Sequence, residues 1–294
     1  MLDVIWDMET GDPDDFITLL LLLGHPQVNL LGVTVTPGTP DQIGVVRAAL
    51  SWFGRSIPVG AFDLEHQTPA MRAGTGTSSC VSGWHYKAFG PMPPSRDAVP
   101  GPALLRELAG PTTTLITGAP LKNLGGAIRL PGFALGRLVV QGGFAGEGVV
   151  APEDQLAKFR GFVTCPTYNL DGDPTSALEV IASPAIAEKR FVSKNVCHGV
   201  VYDDHFHAAV TARKAERPSL DLIWRGMEKY RAKRGEKKLH DPLAACCAID
   251  PSIGTWAEVE LYRERGWGAR LAPGSGIHII TKYDRAKFIA TFCA

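Results

Sequence analysis

The sequence predicts one α/β domain spanning residues 1–294, built on a mostly parallel open sheet with helices on both faces. Three observations carry that expectation. Short runs rich in Val, Ile and Leu alternate with helix-length stretches along the chain. No repeat and no long linker divides it. Near the start, the apolar run 2–6 enters an acidic loop containing Gly11 and Pro13, which opens directly onto a second apolar run, 16–23. That succession reads as a buried strand, a tight loop and the first turns of a buried helix.

Taken in order, further buried strands are expected at 30–35, 57–59, 113–116, 138–140 and 191–192. Helices are expected between them at 41–53, 103–109, 121–130 and 175–182. A helix crossing between successive strands implies parallel pairing. The Gly-, Ser- and Pro-rich stretch 70–100 reads as a long loop, a length usually functional or mobile within a compact domain. A charged helix is expected at 218–239, and another at 243–249, opened by His240-Asp241-Pro242.

Bulk composition excludes several classes. Lys plus Arg and Asp plus Glu number 30 each, and a formal net charge of zero argues against nucleic-acid binding, which normally needs a basic excess. Six cysteines are scattered without C-x-x-C spacing, and nothing at the start resembles a signal peptide. A reduced cytoplasmic protein with buried thiols is therefore expected. The longest uncharged apolar run, 16–23, is far too short to span a membrane.

The acidic loop is the chemical centre of the sequence. Asp7, Glu9, Asp12, Asp14 and Asp15 put five carboxylates into nine positions. So many negative charges cannot stay ionised at such spacing unless water or a cation shares them. A hard divalent cation with oxygen ligands is the economical answer. Helix capping and the helix dipole would account for Asp12, Asp14 and Asp15, but leave Asp7 and Glu9 at the strand end unexplained.

Three later stretches join it. Thr117-Gly118-Ala119-Pro120-Leu121-Lys122-Asn123-Leu124 follows a strand and turns sharply, which can leave a backbone carbonyl free for a ligand; an ordinary strand-to-helix loop would look the same. In Tyr168-Asn169-Leu170-Asp171-Gly172-Asp173-Pro174, Asp173 reads as a helix cap, with Asn169 free to meet a sugar hydroxyl. His240 and Asp241 open a helix, as a cap beside a surface ring or as a metal ligand beside a proton donor.

Together these pieces resemble the inosine–uridine-type nucleoside hydrolases, whose D-x-D-x-G-x-D-D loop, T-G-P-L-T-N-like turn, E-x-N-x-x-x-D-P segment and H-D-P-L helix start occur in this order. The resemblance implies hydrolysis of the N-glycosidic bond of a ribonucleoside or related riboside, releasing base and ribose through an oxocarbenium-like state. It implies a calcium ion held by Glu9, Asp15, the carbonyl of Lys122 and Asp241, gripping the ribose diol and the attacking water. Asp14, Asn169, Thr167 and His85 would contact substrate. Asp7 or Glu9 would be the base, with His240 protonating the leaving group. A homodimer or homotetramer is implied.

The departures are specific. Glu9 stands where the family has Asp, with one extra residue before Asp14. Thr36-Pro37-Gly38-Thr39 replaces an Ala-Gly-Asn ribose contact, and Thr167 replaces a Glu. The reaction class is retained and the substrate loosened, so that a modified ribose becomes admissible. Trp84 and Tyr230 are candidates to stack on a base, though packing is their commoner fate. The basic run from Lys229 to Lys238 is most simply a solvated face, with an anionic substrate as the less common alternative. One rival is a haloacid-dehalogenase-like phosphatase with Asp7 as nucleophile and magnesium as the metal, which leaves Asp14-Asp15 and His240-Asp241 without a role. Another is a silent nucleoside- or sugar-binding protein on the same fold, suggested by the missing Asn and Glu.

Overall fold

Alternation along the first strand sorts its side chains onto two faces. In β1 (Leu2–Met8), Val4, Trp6 and Met8 join one buried cluster and Ile5 joins another. Neither face is wet, which is why the run is apolar at every position from Val4 to Trp6. The computed structural model describes residues 1–63 and 80–294.

The strand β1 pairs in parallel with β2 (Val28–Val35) on one side and β5 (Thr114–Thr117) on the other. From β2 the sheet continues outward through β3 (Val59–Ala61) and β4 (Val99–Pro100), also parallel. From β5 it continues through β6 (Leu135–Gln141) and β8 (Ile186–Val192) to β13 (Ile277–Tyr283), again parallel. Beyond β13 the pairing reverses, through β11 (Gly254–Arg263) and β12 (Trp267–Leu271) to β7 (Thr164–Cys165). Strands β9 (Val201–Tyr202) and β10 (Lys237–Lys238) form a separate antiparallel pair.

Helices cover both faces. Pro13–Gly24 and His240–Ile249 pack into the cluster containing Trp6, whereas Lys122–Ile128 and Pro174–Ala182 pack into the cluster containing Ile5. The expected α/β architecture is present, with an antiparallel end that the short apolar runs did not announce. Strand 57–59 lies slightly later, at Val59–Ala61, and the charged helix stops at Arg234 instead of running to 239. The helix expected at 243–249 begins at His240 itself, and a further helix, Arg285–Phe292, follows it. The stretch read as a loop, 70–100, contains the helix Gly83–Phe89; its residues 70–79 lie outside the described residues. No described helix is long and apolar enough to cross a membrane, and all six cysteines are free.

The connectivity positions a site. The chain works outward from β1 to β4, then returns to the opposite side of β1 as β5. The loops leaving β1 and β5 therefore diverge and open a crevice at their carboxyl ends, where open α/β sheets bind ligands.

Candidate active site

At the end of β1, Asp7 is fully buried and its two oxygens are already occupied. Thr34 Oγ1 and Asn123 Nδ2 donate to Oδ1 at 2.7 and 2.9 Å, and Thr117 Oγ1 donates to Oδ2 at 2.9 Å. Burial pushes the Asp7 carboxyl up to about 6 against the pull of these three donors. Asp7 thus ties β1 to β2, to β5 and to the helix Lys122–Ile128, and it does not line the cleft. A phosphatase nucleophile in that position could not reach phosphorus.

Two residues on, Glu9 faces the cleft, and among the described residues its carboxylate has no hydrogen bond or ion pair. Burial, then the Asp7 charge, push Glu9 up to about 7, while Lys122 opposes the shift. The backbone N–H of Glu9 donates to Asp15 Oδ1 at 2.9 Å, closing the loop upon itself. Pro13 occupies the first turn of the helix Pro13–Gly24, and Asp14 and Asp15 follow where the helix dipole favours negative charge.

Asp14, Asp15 and Asp241 converge, with one carboxylate oxygen from each lying within 4.8 Å of the others. All three are buried. Asp15 and Asp241 are pushed well up, first by burial and then by the neighbouring carboxylates. One partial compensation is Lys237, whose Nζ lies 2.9 Å from Asp12 Oδ1 and 3.3 Å from Asp14 Oδ1. Burial opposes the Lys237 charge, but Asp14 and Asp12 outweigh it and raise the ammonium above its usual range. Among the described residues, no cation is ion-paired with Asp15 or Asp241, and Lys237 only partly offsets the rise at Asp241. An all-oxygen, buried, like-charged donor set fits a hard divalent ion. Asp241 also packs tightly on the Thr117–Gly118 turn, since a Cβ at Gly118 would sit 2.6 Å from Asp241 Oδ1.

The remaining walls of this cleft, about 370 Å³ in volume, include Gln141, Tyr168, Asn169 and His240. Asn169 is held by Gln141, whose carbonyl and Oε1 accept from Nδ2 at 2.9 and 2.8 Å, leaving Asn169 Oδ1 for a ligand. The backbone N–H of His240 donates to Asp14 Oδ2 at 3.1 Å, and its ring stacks on His198 at 4.8 Å between centroids. Burial, then the Lys237 charge, lower His240 to about 4, so its imidazole is neutral at pH 7. Its buried Nε2 has no hydrogen-bond partner among the described residues.

Several expected residues sit elsewhere. His85 is wholly buried, its ring edge-on to Phe16 and Trp84 and its Nδ1 2.9 Å from the carbonyl of Ser82; it packs an aromatic cluster and does not line the cleft. Thr167 is buried just before the helix Tyr168–Asp171, also off the cleft wall. Lys122 begins the helix Lys122–Ile128 with its Nζ 5.7 Å from the Phe62 ring centroid. Asp173 caps its helix as expected, accepting from Ser176 N. Thr36-Pro37-Gly38-Thr39 has become a helix start, since Thr39 and Gln42 form a reciprocal capping box at Pro40–Trp52. Gln141, Tyr168 and His198 were not singled out by pattern, and Lys237 only as part of a basic run; for Gln141 the available signal was a lone polar residue at the end of an apolar strand.

With this geometry established, comparison with known proteins gives a consistent answer. The family model described as inosine-uridine preferring nucleoside hydrolase matches residues 4–290. A Schizosaccharomyces pombe protein, described as uncharacterized protein C1683.06c, is 27% identical over 285 residues, covering 89% of this chain and 84% of its own. Among solved structures, the plant nucleoside hydrolase PpNRh1 superposes with a TM-score of 0.71 at 18% identity, covering 99% of this chain and 97% of its own. The inosine-uridine preferring nucleoside hydrolase from Bacillus anthracis gives 0.70 at 18% identity, covering 99% and 98%.

Proposed function

Because the chain belongs to the inosine-uridine preferring nucleoside hydrolase family, we propose that it hydrolyses the N-glycosidic bond of a small ribonucleoside with the help of calcium. The observation that carries this reading is the convergence of Asp14, Asp15 and Asp241 from opposite ends of the chain on one buried point. Asp15, Asp241 and the carbonyl of Lys122 would hold the ion, with Glu9 beside them. Bound there, calcium supplies a grip for the ribose diol and lowers the pKa of the attacking water.

The protein's own groups divide the remaining work. Glu9, unpaired in the cleft and raised to about 7, takes the proton from the water as it attacks C1′. Asp7, saturated by three donors, positions the β1 end and does not touch substrate. Asp14 accepts a hydrogen bond from a ribose hydroxyl, and Asn169 Oδ1 serves the far end of the sugar. His240 lines the cleft on the side given to the departing base and, being neutral, would act there as an N–H donor without carrying a full positive charge.

Incubating the protein with uridine, inosine and related ribosides, and assaying free ribose, tests the reaction. Asp15→Ala should lose calcium binding in titration calorimetry and nearly all ribose release. Full activity of that variant in chelator-treated buffer would remove the metal from the proposal.

A further inference from the structure

Beside the catalytic cleft lies a second and larger one, about 590 Å³, and the two share Gly11 and Asp12 as a common wall. Its chemistry is the reverse of its neighbour's. Lys87 reaches it from the helix Gly83–Phe89, and Lys229, Lys233 and Arg234 from the helix Pro218–Arg234. Trp84 and Tyr230 supply aromatic walls. The Trp84 indole is fixed, its Nε1 donating to the Gly226 carbonyl at 2.9 Å. The acid among its lining residues is Asp12, and that carboxylate is engaged by Lys237.

A basic helix end favours the helix dipole wherever it lies, but pairing along this helix is uneven. Arg225 is paired with Asp221, and Arg231 with Asp204. Lys229, Lys233 and Arg234, which line the cleft, have no ion pair among the described residues, and neither does Lys87 on the facing helix. Two separate elements thus bring residues whose cations have no ion pair among the described residues to the wall of one concavity, in a chain of zero net charge. Such a cleft concentrates field and raises the local concentration of anions.

We propose that this pocket receives the base of the substrate, and that the preferred base carries a carboxylate. The inference rests on the nucleoside-hydrolase reading above, which puts Asn169 at the far end of the sugar and His240 toward the leaving group. When the C1′–N bond breaks, its electron pair goes to the base nitrogen, the water oxygen bonds to C1′, and the water proton passes to Glu9. The departing base is negative until it takes a proton from solvent. The four cations stabilise that developing charge as well as a resident carboxylate, while the aromatic walls hold the ring.

The test compares uridine with its 5-carboxy and 6-carboxy derivatives and with uridine 5′-monophosphate, reading kcat/KM for ribosyl bond cleavage at low and high salt. At least one carboxylated base should exceed uridine by about tenfold at low salt, with the ratio falling toward one as salt rises. The ratio should collapse likewise in the variant K229Q/K233Q/R234Q, whose exposed positions keep folding intact; the salt series on the unaltered protein reads the same effect without substitution. Uridine cleaved as well as both carboxylates overturns the inference and leaves the hydrolase reading standing. A gain for the 5′-monophosphate alone overturns it too, by moving the anion to the other end of the sugar. Cleavage of none of the four while inosine is cleaved overturns this inference alone; cleavage of none of them and of no inosine, with calcium bound, sinks the hydrolase reading and this inference together.

Discussion

The two carboxylates ending β1 separate by what each is bonded to. Asp7 accepts three hydrogen bonds from three different elements and is sealed from the cleft. Glu9 has no such partner and faces it. Their substitutions should therefore fail differently. Glu9→Gln removes a proton acceptor and should lower kcat by about 10²–10⁴-fold, with melting temperature nearly unchanged. In Asp7→Asn an amide NH₂ replaces one of the two accepting oxygens, so that either Asn123 Nδ2 loses its acceptor or a threonine hydroxyl must turn round to accept. That should cost about 1–3 kcal/mol of stability and reduce kcat along with it. Denaturant melts and steady-state kinetics on both variants check the assignment. A stable, inactive Asp7→Asn beside an active Glu9→Gln would exchange the two roles.

At the scale of elements, the site depends on how closely the turn after β5 approaches the start of the helix His240–Ile249. Gly118 makes that approach possible. A methyl there would lie 2.6 Å from Asp241 Oδ1 and 2.8 Å from the Trp6 ring. Gly118→Ala must therefore displace Asp241 or the turn. The expected result is calcium affinity weakened about 10–100-fold, a loss typical of disturbing a group that orients a ligand. Calorimetric titration of calcium into the variant measures it; unchanged affinity would mean that Asp241 holds no ion. The same elements show what the sequence could reveal. The strand, acidic loop and helix at the start were legible because two apolar runs and their carboxylates are neighbours in the chain. Strands β11 and β12 were not, since Glu258, Glu260 and Arg270 interrupt their apolar side chains on a half-wet antiparallel end. His85 was misread because its residue type suggests chemistry, while its place among Phe16 and Trp84 is set by tertiary packing. Lys237 belonged to a basic run that reads as solvated, yet it is buried against Asp12 and Asp14, a pairing that only the fold creates.

At the scale of the whole molecule, the crevice beside β1 gathers acids whose burial disfavours their charged forms, and this makes stability depend on pH in a direction that calcium should reverse. Without the ion, Asp7 is held at about 6, Glu9 at about 7, and Asp15 and Asp241 well above the ordinary carboxylate range. Folded values above unfolded ones mean that the folded state binds protons more tightly. Their contribution to stability is complete below the unfolded values near 4 and is lost as pH rises through 6, 7 and beyond. Calcium held by Asp15 and Asp241 requires those two ionised, so its affinity increases as pH rises over that range. His85, lowered to about 4 by burial, works in the opposite sense, because the unfolded chain protonates first as pH falls. That term is common to the calcium-loaded and calcium-free protein and cancels in their difference. The melting-temperature difference between calcium-loaded and chelated protein should accordingly be small at pH 5 and grow toward pH 8. A hundredfold excess over Kd stabilises by about 2.7 kcal/mol, which corresponds to roughly 5 °C for a domain of this size. Paired thermal melts across that range measure the difference directly. A gap that is constant with pH, or that closes as pH rises, would mean that the ion binds away from these buried carboxylates.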